Sequence, residues 1–497
     1  MKKIIKLLVL VLWPFFAFAQ HMEWNKCFGG SDDDMAYAII QSHNGGFLIA
    51  GNTRSDDGDI SMNHGSSDFW VIKIDDNGEI LWEETYGTEV YESASSITGT
   101  QDGNYIIAGR KNMVGGDPMN TDFWIVKIND FGGVIWQKSY GGSSFDIPSN
   151  IMKTIDNGFI ISGVTNSHDG DVTGNDPNKW AAWIIKIDQL GNLLWEKSFF
   201  ISDCVNFGSA LLTPDNGVVF TADVCESNSN YLIVKLDENG NMLWQKEYGG
   251  SLNDYPHSIK PTYGGGYIVV GSTASQDGYV LGNHGSFDYW AVMIDEDGEL
   301  VSSHCFGGSD PETAYDVIPK NNTEFIMVGV AESDNGDLKN EDDFGDFWIV
   351  DFDHQYNILW ELCLGDSLGR EVATSLVPMG NNNYLVAGYS CTQDGQIVAD
   401  NHGGADFWVV KVTDGTTMVE NTNENIDCNI YPNPTSGVLR IETPDLRAVE
   451  IIDIQGKVVF RTEVNPDHLN LSGLTKGLYF LKVQKKEGVI VEKIILQ

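Results

Sequence analysis

The residues of this sequence best suited to chemistry are acids in short glycine-containing loops. Asp56, Asp57 and Asp59 stand in SDDGD, and Asp169 and Asp171 in SHDGD. Closely spaced carboxylates beside a glycine supply the oxygen ligands that a hard cation such as calcium takes, so Asp57, Asp59, Asp169 and Asp171 are the candidate metal ligands. Neither loop continues into a twelve-residue ligand pattern closed by a bidentate glutamate, and Asp-Gly is also ordinary turn chemistry. A second acidic series recurs at one repeat position, Asp34, Glu92, Asp146, Asp254, Glu312 and Glu371, with Val205 breaking it. A group carried by nearly every copy most simply serves each copy, by accepting hydrogen bonds from local N–H groups, so a structural role is preferred. His64, His284 and His402 share the phrase Asn-His-Gly but come from separate copies, which makes them turn or packing residues rather than zinc ligands. The chain has no P-loop, HExxH, GxSxG or dinucleotide fingerprint leading into a helix.

These residues are positioned by a repeat. DFWVIKIDDNGEILWEETYG, from Asp68 to Gly87, returns as DFWIVKINDFGGVIWQKSYG from Asp122, and Trp70 has its equivalents in Trp124, Trp183, Leu232, Trp290, Trp348 and Trp408. Each copy reads as four short strands: a leading strand such as Met35–Ile40, then FLIAGNT, DFWVIKI and EILWEETYG, the last two joined by DNG, whose glycine supplies the positive φ a tight hairpin needs. Both faces of DFWVIKI are apolar, so each sheet needs cover on both sides. Seven four-stranded sheets with that need predict a seven-bladed β-propeller over residues 20–415. The seventh copy stops after DFWVVKVTDG without its outer strand, while WNKCFGG (Trp24 to Gly30) stands alone at the start. An N-terminal strand completing the last blade would close the ring and protect its edge.

Residues 1–19 have a basic start, an apolar run and AFA before Gln20, the pattern of a signal peptide cleaved between Ala19 and Gln20. No later segment approaches the roughly 20 apolar residues of a transmembrane helix, so the mature protein is expected to have none. Seven cysteines are too few for a disulfide scaffold. Cys27, Cys305 and Cys363 share one repeat position and read as small buried residues, while Cys204 and Cys225 are the candidate disulfide. The formal charge of −41 is concentrated between residues 21 and 429, where 63 acidic residues face 18 basic ones. That field excludes nucleic acid as a direct partner and favours solubility as a monomer.

Residues 416–428 are polar and lack strand alternation, the composition of a linker. Beyond it stand NIYPNPTSGVLRIE, VEIIDIQGKVVF, LNLSGLTKGLYFLKV and EKIILQ. Residues 429–497 thereby resemble the type A C-terminal sorting domain of the type IX secretion system, on Tyr431, Pro432, Asn433, Pro434, Gly437, Gly456, Lys457, Gly477, Tyr479, Lys482 and Lys493. The resemblance implies a small Ig-like β-sandwich read by an outer-membrane translocon, removed by its C-terminal signal peptidase, with the cargo released or held at the cell surface. The repeats also resemble an uncharacterised propeller-like family that precedes such domains in secreted Bacteroidota proteins, which implies a fold but no ligand.

Two functional classes follow. One is a non-catalytic binding or adhesion propeller for a glycan, protein or cation; the other is a polysaccharide- or peptide-processing enzyme with its acids at the axial face. Near-uniform repeats favour binding, since an enzyme should show one asymmetric constellation. The drifted segment NKWAAW (Asn178 to Trp183) with SFFISDCVNFG has two readings, degenerate packing, the commoner cause of such drift, or exposed aromatics that stack on sugars.

Overall fold

The structure is a computed structural model describing residues 21–496 apart from 114–119, 178, 201–205, 226–227, 339–344, 366–368, 381, 392–400, 415–428, 432–434, 436, 443–445, 454–457, 463–467, 472 and 486–488. Ala19, Gln20, Cys204, Asp394, Asp400, Pro432, Asn433, Pro434, Gly456, Lys457 and the linker therefore lie outside the described residues, as does the side chain of Cys225. The described residues are strands, turns and bends, with no helix among them, and fall into two compact units within 19–415 and 416–497.

In the first unit each repeat folds as one antiparallel four-stranded sheet in sequence order. The first sheet runs Asp34–Gln41, Phe47–Thr53, Asp68–Ile74 and Ile80–Tyr86. Six sheets are built from consecutive strands. The seventh takes Glu371–Gly380, Asn383–Ser390 and Asp406–Thr413 from one repeat, and His21–Phe28 as its fourth strand. Cys27 faces Trp408 across that pairing, as Cys305 faces Trp290 and Cys363 faces Trp348. The shared cysteine position is thus the cross-strand neighbour of the landmark tryptophan, where a small side chain leaves room for the indole.

The DFW strands explain why both faces had to be apolar. Phe69 packs on Trp124 and Phe123 on Trp183, with ring centroids 4.6 Å apart in both pairs. Tyr231 meets Trp290 at 4.5 Å, Tyr289 meets Trp348 at 4.6 Å, and Phe347 meets Trp408 at 4.4 Å. Where an aromatic precedes the landmark position it therefore belongs to the next sheet's core, a tilted contact of about 0.5–1.5 kcal/mol beyond the area it buries. The last such residue, Phe407, lies on Trp70 of the first sheet.

Leading strands are stitched in the same order. Ser96 Oγ accepts the Ile151 N–H at 3.3 Å, Ser209 Oγ that of Ile259 at 3.0 Å, and Asp316 Oδ2 that of Leu376 at 3.3 Å. Thr374 of the seventh sheet donates its hydroxyl to the Ala36 carbonyl of the first at 3.0 Å. On the outer side, the positive-φ glycine of each DxxG turn lies on a tryptophan of the preceding sheet. A Cβ on Gly78 (φ 77°) would stand 2.9 Å from the Trp24 ring, and one on Gly298 (φ 78°) 2.8 Å from Trp244, so only glycine fits.

The second unit has a three-stranded sheet, Asn429–Tyr431, Val438–Glu442 and His468–Asn470, and a four-stranded sheet, Val458–Thr462, Leu446–Asp453, Gly477–Lys485 and Val489–Leu496. Leu439, Ile441 and Leu469 of the first share one core with Val449, Ile451, Leu481, Val483 and Ile494 of the second, the packing of a β-sandwich.

Candidate functional site

The Gly-Gly turns that enter each leading strand are anchored by the acids the sequence brings forward. Four successive N–H groups of the turn at Gly29 to Asp32 each find a side chain: Gly29 donates to Asp59 Oδ2 at 3.2 Å, Gly30 to Asp34 Oδ2 at 2.7 Å, Ser31 to Asp57 Oδ1 at 2.7 Å, and Asp32 to Ser55 Oγ at 2.9 Å. The third sheet repeats this, with Asp171, Asp146, Asp169 and Ser167 receiving Gly141, Gly142, Ser143 and Ser144. Asp57, Asp59, Asp169 and Asp171 thus hold a turn to its loop through charge-assisted hydrogen bonds. Among the described residues, no three His, Cys, Asp or Glu side chains are grouped to hold a metal ion.

The series Asp34, Glu92, Asp146, Asp254, Glu312 and Glu371 is fully buried beside the same turns. A second buried series, Asp68, Asp122, Asp288, Asp346 and Asp406, opens the DFW strands, and the first glycine of the turn lies between the two. A Cβ on Gly141 would stand 2.6 Å from both Asp122 Oδ1 and Asp146 Oδ2. The histidines of Asn-His-Gly serve this second series: Nδ1 of His64, His284 and His402 lies 2.7, 2.7 and 2.8 Å from Asp68, Asp288 and Asp406. Each histidine thus packs its own strand entry.

Crowding buried carboxylates favours their neutral form. Burial, with repulsion from Asp146 and Asp171, pushes Asp122 up to about 6. Burial also pushes Asp146 and Asp406 to about 6 and Glu312 to about 7, against the hydrogen bonds each accepts.

The repeats converge on a different feature. In every leading strand the pairing register slips three residues after the acidic position, or after Val205 in the fourth, at an irregularity that leaves Tyr37, Ser95, Ser149, Gly208 with Ser209, His257, Tyr315 and Thr374 outside the ladder. All of these but Ser209 line one cavity of about 460 Å³. A bulge turns a side chain that would have pointed into a sheet face toward a site instead. The lining is uneven: Ser95, Ser149 and Gly208 are small, His257, Tyr315, Thr374 and Tyr37 are larger, and Tyr389 and Arg110 join them from second strands. His257 and Tyr315 pack with ring centroids 4.9 Å apart. Burial holds the His257 imidazole down to about 4, so it is neutral at pH 7, and burial pushes Tyr37 up to about 12, so its phenol keeps its proton. Among the described residues no carboxylate or thiol lines this cavity. The acids expected at an axial site are turned into the sheet junctions instead, because the bulge comes after them.

Trp183 is fully buried, and Trp180 is half-buried and stacked on Phe145, with ring centroids 5.8 Å apart. Phe200 is exposed, with the Lys179 ammonium 5.2 Å above its ring.

The C-terminal unit carries a separate set of residues. Tyr479 is buried, donates its hydroxyl to the Thr475 carbonyl at 2.8 Å, and so closes the turn ahead of its strand. Lys482 lies 3.4 Å from Glu450 on the neighbouring strand. Gly437 (φ 129°) precedes Val438–Glu442, Tyr431 pairs with Arg440, and Lys493 pairs with Phe480 in the last strand. Residues 429–497 match the family model of the secretion system C-terminal sorting domain. The sorting domain implies secretion by the type IX system, contact with its machinery, and a secreted or cell-surface location.

A search of curated proteins finds no match to the chain. Similar solved structures include a protein of unknown function from Bacteroides caccae, 13% identical with a TM-score of 0.37, covering 62% of this chain and 93% of that one. Sqt1 from Chaetomium thermophilum is 11% identical with a TM-score of 0.41, covering 80% and 99%. A puromycin hydrolase is 13% identical with a TM-score of 0.40, covering 76% and 53%. At these scores none of them assigns a ligand or reaction to the repeats ahead of the sorting domain. Among the described residues no helix is long and apolar enough to cross a membrane.

Proposed function

We propose that the seven sheets close into a seven-bladed β-propeller which, once exported by the sorting domain, works as a non-catalytic binding module with its ligand in the axial cavity. In this reading residues 1–19 are a cleaved signal, 20–415 the propeller, 416–428 a linker and 429–497 the sorting domain. The observation that supports it is the bulge common to all seven leading strands, which turns one residue of each toward a single cavity. A fold that needed bulges only for curvature would fill these positions alike. Here they differ from sheet to sheet, aromatic in some and small in others, and that unevenness fits recognition of an asymmetric ligand. The cavity volume lies in the range of about 300–1,000 Å³ usual for small-ligand sites.

A glycan array probed with the full chain tests this reading, using Tyr315→Ala and Tyr37→Ala as paired controls. Capture that both variants lose supports axial binding. Capture that neither changes moves the site elsewhere, and turnover of a captured glycan would replace binding with catalysis.

A further inference from the structure

The repeat region is strongly acidic, and its cations are mostly matched by carboxylates. Arg54 lies 3.0 Å from Asp33 and Arg370 3.4 Å from Glu332. Lys73, Lys127, Lys246 and Lys411 are each within 2.8 Å of an acid. Arg110 differs. Its guanidinium lies 4.8 Å above the Tyr91 ring, with Nη2 donating to the Tyr91 hydroxyl at 3.1 Å, and no carboxylate pairs with it among the described residues. It is also the one cation among the residues that line the axial cavity.

Arg110 stands opposite Ser93, at the position filled by Asn52, Val164, Ser272, Val330 and Tyr389 in other sheets. The position is therefore free to vary without loss of the sheet, so packing does not demand an arginine there. A guanidinium presents a planar fork of donors that fits a carboxylate with two parallel hydrogen bonds, and the tyrosine beneath it fixes the fork's plane in advance. Among the described residues the hydroxyls of Tyr315 and Tyr389, which also line the cavity, have no hydrogen-bond partner, and burial raises both phenols, which keeps them as donors. Ser95 and Thr374 instead spend their protons on the Pro148 and Ala36 carbonyls, at 2.8 and 3.0 Å, and keep lone pairs as acceptors.

We propose that the axial cavity takes a sugar ring bearing a carboxylate, of the uronic acid class, with the carboxylate on Arg110 and the ring against the Tyr315 and His257 side. This rests on the axial-binding reading above. The chemistry matches group by group: a carboxylate for the unmatched fork, an apolar ring face for the aromatics, and hydroxyls that both donate and accept for the phenols and the serine and threonine oxygens. The protein's negative field opposes an anion only at long range. At physiological salt that field is screened beyond about 8 Å, whereas the guanidinium acts at contact.

The full chain is titrated calorimetrically with glucuronate, glucose and acetate at matched ionic strength. Glucuronate is expected to bind at least about tenfold more tightly than glucose, a difference of about 1.4 kcal/mol, and acetate more weakly than glucuronate. Arg110→Gln should remove the preference for glucuronate over glucose, and Tyr315→Ala should weaken both sugars. Equal binding of the two sugars, or a preference that survives Arg110→Gln, overturns the proposal while the axial site stands if Tyr315→Ala still acts. Acetate binding as tightly as glucuronate reduces the site to a carboxylate pocket and overturns the sugar. Sugar binding indifferent to Tyr315→Ala, or no binding of any of the three, overturns it together with its placement in the cavity.

Discussion

Phe407, from the last DFW strand, lies on Trp70, from the first, with ring centroids 4.4 Å apart and ring planes at 51°. The same contact joins Phe347 to Trp408 one sheet earlier, at 4.4 Å and 55°. The junction between the ends of the repeat array therefore has the packing of an ordinary junction within it.

The first prediction concerns that junction. Phe407→Ala should cost about 3–5 kcal/mol, the range for a buried aromatic truncated in a core. Phe347→Ala should cost the same within about 1 kcal/mol, if the two junctions are equivalent. Urea unfolding of both variants measures this, and a Phe407→Ala cost below about 1 kcal/mol would show the ends to be only loosely joined.

Removal of the N-terminal strand is a harsher test. Without Trp24 to Gly30 the seventh sheet loses the partner of Trp408, including the Asn25 Oδ1 that accepts the Trp408 indole N–H at 3.1 Å, and Gly78 loses the ring it rests on. The exposed strand Asp406–Thr413 should then pair with other chains. Light scattering should show oligomers at concentrations where the full chain is monomeric, and a truncated protein that stays monomeric with unchanged melting contradicts the account.

Calcium separates the two roles open to the loop acids. Because Asp57 and Asp59 already receive the N–H groups of Ser31 and Gly29, replacing both by alanine should destabilise the protein by about 2–5 kcal/mol with or without calcium. Calcium and sodium at matched ionic strength should raise the melting temperature equally, through screening alone. An increment specific to calcium that the double variant loses would instead identify these acids as cation ligands, as a site saturated about 100-fold adds roughly 2.7 kcal/mol.

Stability should fall as pH rises from about 4 to about 7. Asp122, Asp146, Asp406 and Glu312 titrate at about 6, 6, 6 and 7 in the folded protein, above their usual values near 4, so the native state binds more protons across this window. Their favourable contribution is complete below about 4 and lost once pH passes the folded values. Groups whose values are lowered have the opposite sign. His257, held down to about 4 by burial, loses stability as pH falls from about 6.5, and Asp156, lowered to about 2 by Lys186, loses it as pH falls below about 4. The maximum should therefore lie near pH 4 or just below, measured by urea midpoints at constant ionic strength. Glu312→Gln should flatten the fall between pH 5 and 8, and an unaltered slope would remove this residue from the explanation.

The processed ends are checked by mass spectrometry of material recovered outside the cell. A mature N-terminus near Gln20 and loss of the sorting domain are expected, and surface protein that retains Lys493 to Gln497 would contradict removal of the domain.

Much of this molecule was written locally. The spacing of Trp70 and its equivalents, the two apolar faces of DFWVIKI and the DNG turn specify a four-stranded sheet per repeat, because strand alternation and turn glycines act over a few residues. The orphan stretch at Trp24 foretold the pairing with Asp406–Thr413, since an unfinished repeat at one end and a spare strand at the other share one pattern. The sorting domain was legible for the same reason, as four motifs in order. What the tertiary structure alone decided was where side chains meet across loops and sheets. Asp57 is only a loop acid in the sequence, and the fold alone shows that Ser31, in another turn, donates to it. The bulges are equally silent in sequence, because a register slip is defined only against the partner strand, and a slip of one residue reverses the face on which Tyr37 or His257 points. Arg110 sits in a column of unlike residues that looks like drift along the chain, and only the fold brings it to the cavity that the seven leading strands line.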